Sequence, residues 1–401
     1  MKRGRGNSDL LLLFLFTIVA IVIVFRVNVE ATGYLSPDSV AYLGLAQNIT
    51  DGHGFYILNE EGTGRSYFST WPVGYPVLIY FVSAVTPLSV FWSSKLLNLL
   101  LAGLGFLLLR HINRNYSFIL ASVYCSYTLL EVYSFTWSEA PFLLGLLYLC
   151  HLTGKILQLG SNRKDIVFLL LTCFSLFLMR YIGAFSFSVT ALLACYFFYQ
   201  RKRGTAVKLL FVLFLLGALA GLYLLMNYHL SGYATGFDRL EAETESGGAF
   251  LGMMAEGVLN ELLIIRKFRM GNQPDYLLYF TVLLQLATMI FIIAKVRKHH
   301  HLLEQLKTNS FSLVCFFVAL LYLAAVVFLR SFSHFDDLDY RLLAPFSFLF
   351  WIGLVHLLIS LPDSVKSTVH TKYAVFAFFI LSLLLNLPKQ YILASIRYLF
   401  T

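Results

Sequence analysis

Two acidic residues, Asp38 and Glu139, and three arginines, Arg180, Arg239 and Arg341, are the side chains of this sequence best suited to chemistry. A positioned carboxylate can take a proton from a hydroxyl group. Guanidinium groups hold phosphate oxygens in pairs. A site combining them could accept a proton and clamp a phosphate group. Each residue also has a plainer reading. Asp38 stands in Ser36-Pro37-Asp38-Ser39-Val40-Ala41-Tyr42, where Ser36 can cap a short helix, Pro37 can open it, and Gly52 and Gly54 can end it. There Asp38 could simply complement the helix dipole, an effect of about 0.3–1 kcal/mol that would also lower its basicity unless burial opposes it. Tyr42 falls one turn later on the same face.

Glu139 follows Trp137-Ser138 and precedes Pro141, and Glu131 lies eight residues earlier, roughly 12 Å deeper along a helix. Ionisable groups at a span centre cost about 2.5–3.5 kcal/mol, which favours function for both acids. A helix–helix hydrogen bond is the alternative. Arg180 divides a long apolar run and could be a snorkelling hairpin residue. Arg239 (in Thr235-Gly236-Phe237-Asp238-Arg239) and Arg341 (in Asp336-Asp337-Leu338-Asp339-Tyr340-Arg341, followed by Pro345) share both readings, clamp or turn. The run Asp336-Asp337-x-Asp339 could take a divalent cation through hard oxygen ligands, or be a solvated loop. His299-His300-His301 lies in a basic loop away from these residues, and Gly62-Thr63-Gly64-Arg65 lacks the Lys-Ser/Thr of a phosphate loop. Asn48-Ile49-Thr50 is a glycosylation sequon.

The elements that must position these groups are membrane helices. Of 401 residues, 59% are hydrophobic, 16% aromatic and only 13% charged, about half the charged share of a soluble domain. The five cysteines all fall in apolar runs without disulfide or zinc spacing. Apolar runs at about 10–26, 93–109, 116–134, 140–157, 166–179, 184–199, 209–227, 277–294, 310–329, 345–361 and 373–387 predict an all-α polytopic protein of about eleven spans. The first reads as a retained anchor rather than a cleaved signal. The run 76–91, with Pro76 and Pro87, reads as an interfacial or re-entrant helix that does not cross.

With the N-terminus in the cytoplasm, cytoplasmic segments hold 18 of the 30 basic residues and four of the 21 acids. Those segments then carry +14 and the outer ones −5, which together give the net +9. Clusters such as Arg201-Lys202-Arg203 fit the positive-inside rule. The basic balance is therefore topogenic, and nucleic acid is excluded as its cause. The outer face receives segments 27–92, 228–276 and 330–344, with tight turns at Trp137-Ser138-Glu139 and Arg180-Tyr181-Ile182-Gly183. All the candidate residues gather there. The expected organisation is one transmembrane domain, 1–401, without a soluble C-terminal domain.

The chain resembles the GT-C superfamily of membrane glycosyltransferases, which use polyprenyl-phosphate sugars, and within it the aminoarabinose transferase and protein O-mannosyltransferase branch. The likeness is carried by the single N-terminal span, the loop with Asp38 and Tyr42, Trp71-Pro72-x-Gly74-Tyr75-Pro76, Ser138-Glu139, Arg180-Tyr181-x-Gly183 and Tyr340-Arg341-x-x-x-Pro345. These short motifs run in order through most of the chain. The resemblance implies juxtamembrane helices in the first outer loop and an inverting transfer. Asp38 would be the base and Glu139 its companion in catalysis. Tyr42, Tyr75, Arg180, Tyr181, Arg239 and Arg341 would bind a polyprenyl-phosphate sugar and a lipid, glycan or protein acceptor. Many members carry two adjacent acids where this chain has Asp38-Ser39, so no metal ligands are assigned and a divalent cation remains open. A lipid-linked glycan flippase, or an O-antigen polymerase or ligase, is the alternative class. Transporter-type repeats are not visible, and a polymerase would be expected to carry its largest outer loop late in the sequence.

Overall fold

A computed structural model of the protein describes residues 5–58, 64–236, 246–264, 276–299, 309–332, 338–363 and 366–388. Among them the chain forms fifteen α-helices and one two-stranded sheet. Eight helical stretches are long and apolar enough to cross a bilayer, so the protein is an all-α multi-pass membrane protein. They lie in α1 (Arg5–Val29), α4 (Val90–Ile112), α7 (Glu139–Leu159), α9 (Phe185–Tyr199, extended by the 3-10 turn Tyr181–Ala184), α10 (Arg203–Ser231), α13 (Ser310–Phe332), α14 (Tyr340–Ile359) and α15 (Lys366–Leu385).

The other predicted spans take different forms. The run predicted over 116–134 is broken into α5 (Ser117–Ala121), a 3-10 turn (Ser122–Cys125) and α6 (Tyr127–Ser134). The break is made by Ser126, in extended backbone, whose hydroxyl accepts from Leu129 N. Helix α8 (Arg163–Met179) has 17 residues, and α12 (Tyr276–His299) contains the apolar piece Val282–Phe291. Helix α3 (Gly74–Val85) has 12 residues, too few to cross, in line with the reading of 76–91 as a non-crossing segment.

Polar contacts tie the helices together at both ends of the bundle. At one end Ser8 of α1 donates to Arg114 O, and Arg110 of α4 forks onto Asp9 at 2.7 and 2.8 Å. Lys155 reaches Asp165 there at 2.7 Å. Lys372, wholly buried in α15, closes the C-terminus of α14 by donating to Ile359 O at 3.0 Å and Asp363 at 2.8 Å. Such a cation complements the helix dipole. At the opposite end Arg26, near the C-terminus of α1, pairs with Glu131 of α6. Since α1 meets the α5–α6 segment at both Ser117 and Glu131, the broken helix runs alongside α1 through the whole bundle.

That second end carries the long connection between α1 and α4. Helix α2 (Pro37–Thr50) begins as its sequence predicts. The Ser36 hydroxyl accepts from Ser39 N, Pro37 fills the first position, and Gly52 and Gly54 follow the helix with φ of +77° and +69°. The strands β1 (Tyr56–Leu58) and β2 (Arg65–Tyr67) then form an antiparallel hairpin with Ile57 opposite Ser66. Asn48, the sequon residue, donates to Tyr56 O and fastens this hairpin to α2.

Gly74 shows how closely α3 approaches the end of α8. A Cβ at Gly74 would lie 2.5 Å from Leu178 O and 2.8 Å from Met179 Cε, immediately before Arg180. Gly74→Ala is therefore expected to push the two helices apart, costing about 1–3 kcal/mol. A fall in the detergent-solubilised protein's unfolding midpoint checks this; an unchanged midpoint contradicts the packing described.

Candidate active site

Four helix termini converge at the α2 end of the bundle, and each contributes one charge. Asp38 sits in the first turn of α2, Glu139 is the first residue of α7, Arg180 caps the C-terminus of α8, and Arg341 lies in the first turn of α14. Acids at helix N-termini and a cation at a C-terminus suit the helix dipoles; Arg341 opposes its own helix. Its compensation is two carboxylates. Arg341 Nε donates to Glu139 Oε1 at 2.6 Å, and its Nη2 donates to Asp38 Oδ2. Arg180 Nη1 makes an ion pair with the same Glu139 Oε1. Among the described residues that Nη1 makes no other polar contact.

The quartet is formally neutral, its two acids buried and its two arginines partly so. Glu139 is fully buried and Asp38 is 7% exposed. Desolvating these ions is tolerable only because each meets an opposite charge at contact distance. One oxygen, Glu139 Oε2, is buried without a hydrogen-bond partner among the described residues. Leaving a buried acceptor unmade costs about 1–3 kcal/mol, more when it is charged. A hydroxyl donor brought to this spot would remove that cost.

The surroundings fix the arrangement. Asp339 caps α14, its Oδ1 accepting from Arg341 N at 2.9 Å and Leu342 N at 3.1 Å. Burial raises the Asp339 carboxyl above its usual range, against the opposing pull of those two N–H groups and Arg341. Pro345 has no N–H for the carbonyl of Arg341, so the first turn of α14 is held by this cap and by Tyr322, which donates to Leu342 O. Asp339→Ala should cost about 1 kcal/mol in unfolding free energy, whereas Asp339→Asn, a capable cap, should cost much less. Equal losses in the two variants would contradict the capping role.

Tyr42 lies fully buried beside the quartet, its hydroxyl 3.2 Å from Ser138 Oγ and its ring edge-on to Trp71 and Tyr75. Burial, with the nearby charges of Glu139 and Asp38, holds its phenol neutral far beyond the ordinary range. It can relay or orient a hydroxyl but does not serve as an anionic base.

Two sequence-derived candidates make their hydrogen bonds elsewhere. Tyr75 is fully buried beneath Tyr42 and donates to Asn98 Oδ1 at 2.9 Å, a packing role for a residue proposed as a substrate contact. Tyr181 points away from the quartet: it donates to Ser69 O at 2.7 Å, accepts from Asn227 Nδ2 at 2.9 Å and packs on Phe177 and Tyr223. The 3-10 turn after Arg180 sends the next side chain to the other side, which the linear motif could not reveal. Arg239 lies outside the described residues, as do Asp336 and Asp337. Among the described residues no group of three or more His, Cys, Asp or Glu is arranged to hold a metal ion.

A second charged centre adjoins the first. Arg26 pairs with Glu131 and donates from Nε and Nη2 to Tyr34 Oη at 2.9 and 2.7 Å. Lys95, 2% exposed, donates to Ser134 O at 2.7 Å and Tyr34 O at 3.3 Å, closing the C-terminus of α6. Glu131 thus takes the helix–helix role that was its alternative reading. Arg26 and Lys95 were not singled out as candidates. The signal was a cation at the end of one apolar run and another at the start of the next.

Neither a scan against models of known protein families nor a search among curated proteins returns a match for this chain. The class defined by fold and site is thus a multi-pass α-helical membrane protein with a buried carboxylate–guanidinium centre at one end of its bundle.

Proposed function

We propose that the protein is a membrane glycosyltransferase that moves a sugar from a polyprenyl-phosphate donor to an acceptor hydroxyl. The observation that carries this reading is the meeting of Asp38, Glu139, Arg180 and Arg341 in one buried cluster. Four residues up to 303 positions apart do not converge in an apolar bundle for packing alone, since hydrophobic groups of similar volume would fill that space at no desolvation cost. The combination matches the demands of the reaction. The acceptor oxygen attacks the anomeric carbon as its proton passes to Asp38. The bond from that carbon to the phosphate oxygen breaks with inversion, and its electron pair leaves on the lipid phosphate. Arg180 and Arg341 stabilise the charge that develops there, so no acid is needed for the leaving group. Glu139 Oε2 accepts a hydroxyl of the sugar or acceptor, and Tyr42 orients it.

In this reading the chain crosses the membrane eleven times, α5–α6, α8 and α12 being the three crossings beyond the eight long apolar helices. The N-terminus is cytoplasmic, and the quartet faces the outer side of what would be a bacterial plasma membrane. The acceptor is a lipid, glycan or protein. A direct trial combines the purified protein, membranes of its source and radiolabelled undecaprenyl-phosphate mannose, glucose and arabinose. Transfer of label into a new product from one of these donors is expected. Absence of transfer from every hexosyl and pentosyl donor contradicts the assignment.

A further inference from the structure

Trp137 touches Arg341 and the N-cap of the helix that carries Asp38 through different parts of one side chain. Its indole Nε1–H donates to Ser36 Oγ at 2.8 Å, and Ser36 is the N-cap of α2, two residues before Asp38. The Arg341 guanidinium lies over the Trp137 ring, 4.7 Å from its centroid. The ring is held by a parallel stack on Phe135, with centroids 4.0 Å apart and planes within 3°. Phe135 in turn meets Tyr34 edge-on at 4.9 Å, and Arg26 lies 4.9 Å over the Tyr34 ring. An aromatic ladder therefore joins the two charged centres, anchored at its far end by the Arg26–Glu131 pair and by Lys95. Tyr34 reaches its place through a left-handed turn, with φ of +60° at Gly33 and +57° at Tyr34.

Resting on the transferase reading above, we infer that Trp137 is the positioning residue of this site. It sets Asp38 and Arg341 in register and keeps hold of the Arg341 guanidinium while that group changes anions. The geometry separates two functions. Hydrogen bonds use the edge of the guanidinium, which faces Asp38 and Glu139; the ring contact uses its face. When a donor phosphate draws the edge away from Asp38, the face contact need not break. Asp38 is thereby released to meet the acceptor proton without Arg341 being lost to a different rotamer. The N–H bond to Ser36 keeps α2 from following Arg341.

The test compares Trp137→Phe, which keeps a ring face and loses the N–H, with Trp137→Leu, which loses both, and with Ser36→Ala. Transfer from the radiolabelled undecaprenyl-phosphate sugar that the wild type accepts is measured per mole of monodisperse, folded protein. Trp137→Leu is expected to lower kcat at least about 30-fold with donor KM changed less than about threefold, the mark of an interaction made chiefly in the transition state. Trp137→Phe should fall between it and wild type. Combined with Ser36→Ala it should be no worse than Ser36→Ala alone, because both remove the same hydrogen bond. A residue that only supports the fold would reduce the yield of folded protein without this kcat and KM pattern. Should folded Trp137→Leu retain kcat within about twofold of an active wild type, or should the Trp137→Phe and Ser36→Ala losses simply add, the positioning role is overturned. A wild type inactive with every donor instead overturns the transferase reading itself, and this inference with it.

Discussion

Asp38→Asn is expected to abolish the proposed sugar transfer and to leave the protein folded and inserted. The substitution keeps the size of the side chain and removes only its charge and its ability to take a proton. Loss of a general base alone costs about 10²- to 10⁴-fold in rate. Structural damage should be small, since Arg341 still reaches Glu139 through Nε and still lies on Trp137. The check is the rate of label transfer beside the thermal unfolding midpoint of the same sample. A rate within a few-fold of wild type removes Asp38 from the reaction.

Arg341→Gln is expected to be the more damaging change, because it harms the fold and the chemistry together. It leaves two buried carboxylates facing Arg180 alone. Breaking a buried ion pair from one side typically costs about 3–5 kcal/mol. It also removes a group argued to stabilise the leaving phosphate, a loss of about 10²- to 10³-fold where comparable electrostatic donors are removed. Arg341→Lys should recover much of the stability and little of the transfer, since an ammonium cannot bond Glu139, Asp38 and the Trp137 ring from one rigid plane. Adding Asp38→Asn to Arg341→Gln should restore part of the lost stability, with a coupling of about 0.5–3 kcal/mol, because the unpaired charge is then gone. Strict additivity of the two losses would contradict the ion pair.

The sequence revealed different parts of this architecture to different degrees, for physical reasons. The α2 helix was legible residue by residue, because capping by Ser36, the Pro37 start and the glycine stop are local rules. Asp38, Glu139, Arg180 and Arg341 could be nominated singly, because charges are costly in apolar surroundings. Their meeting is a tertiary fact that no local pattern encodes. The break inside the 116–134 run was not legible because hydropathy does not register the turn that Ser126 makes. A linear motif says nothing of where the Tyr75 and Tyr181 hydroxyls find their partners, here Asn98 and Ser69 O. Trp137 was visible only as part of a turn; its two-sided contact required the fold.

The proposed transfer of a lipid-linked sugar at the Asp38–Arg341–Glu139–Arg180 centre can be tested in cells. Mass spectrometry of envelope lipids and glycans tests it most directly, in source cells that lack the protein, carry the wild type or carry Asp38→Asn. One glycosylated product is expected to disappear and a polyprenyl-phosphate sugar to accumulate, in the null and the Asp38→Asn cells alike. Identical profiles in all three strains, or full restoration of the product by Asp38→Asn, would contradict it.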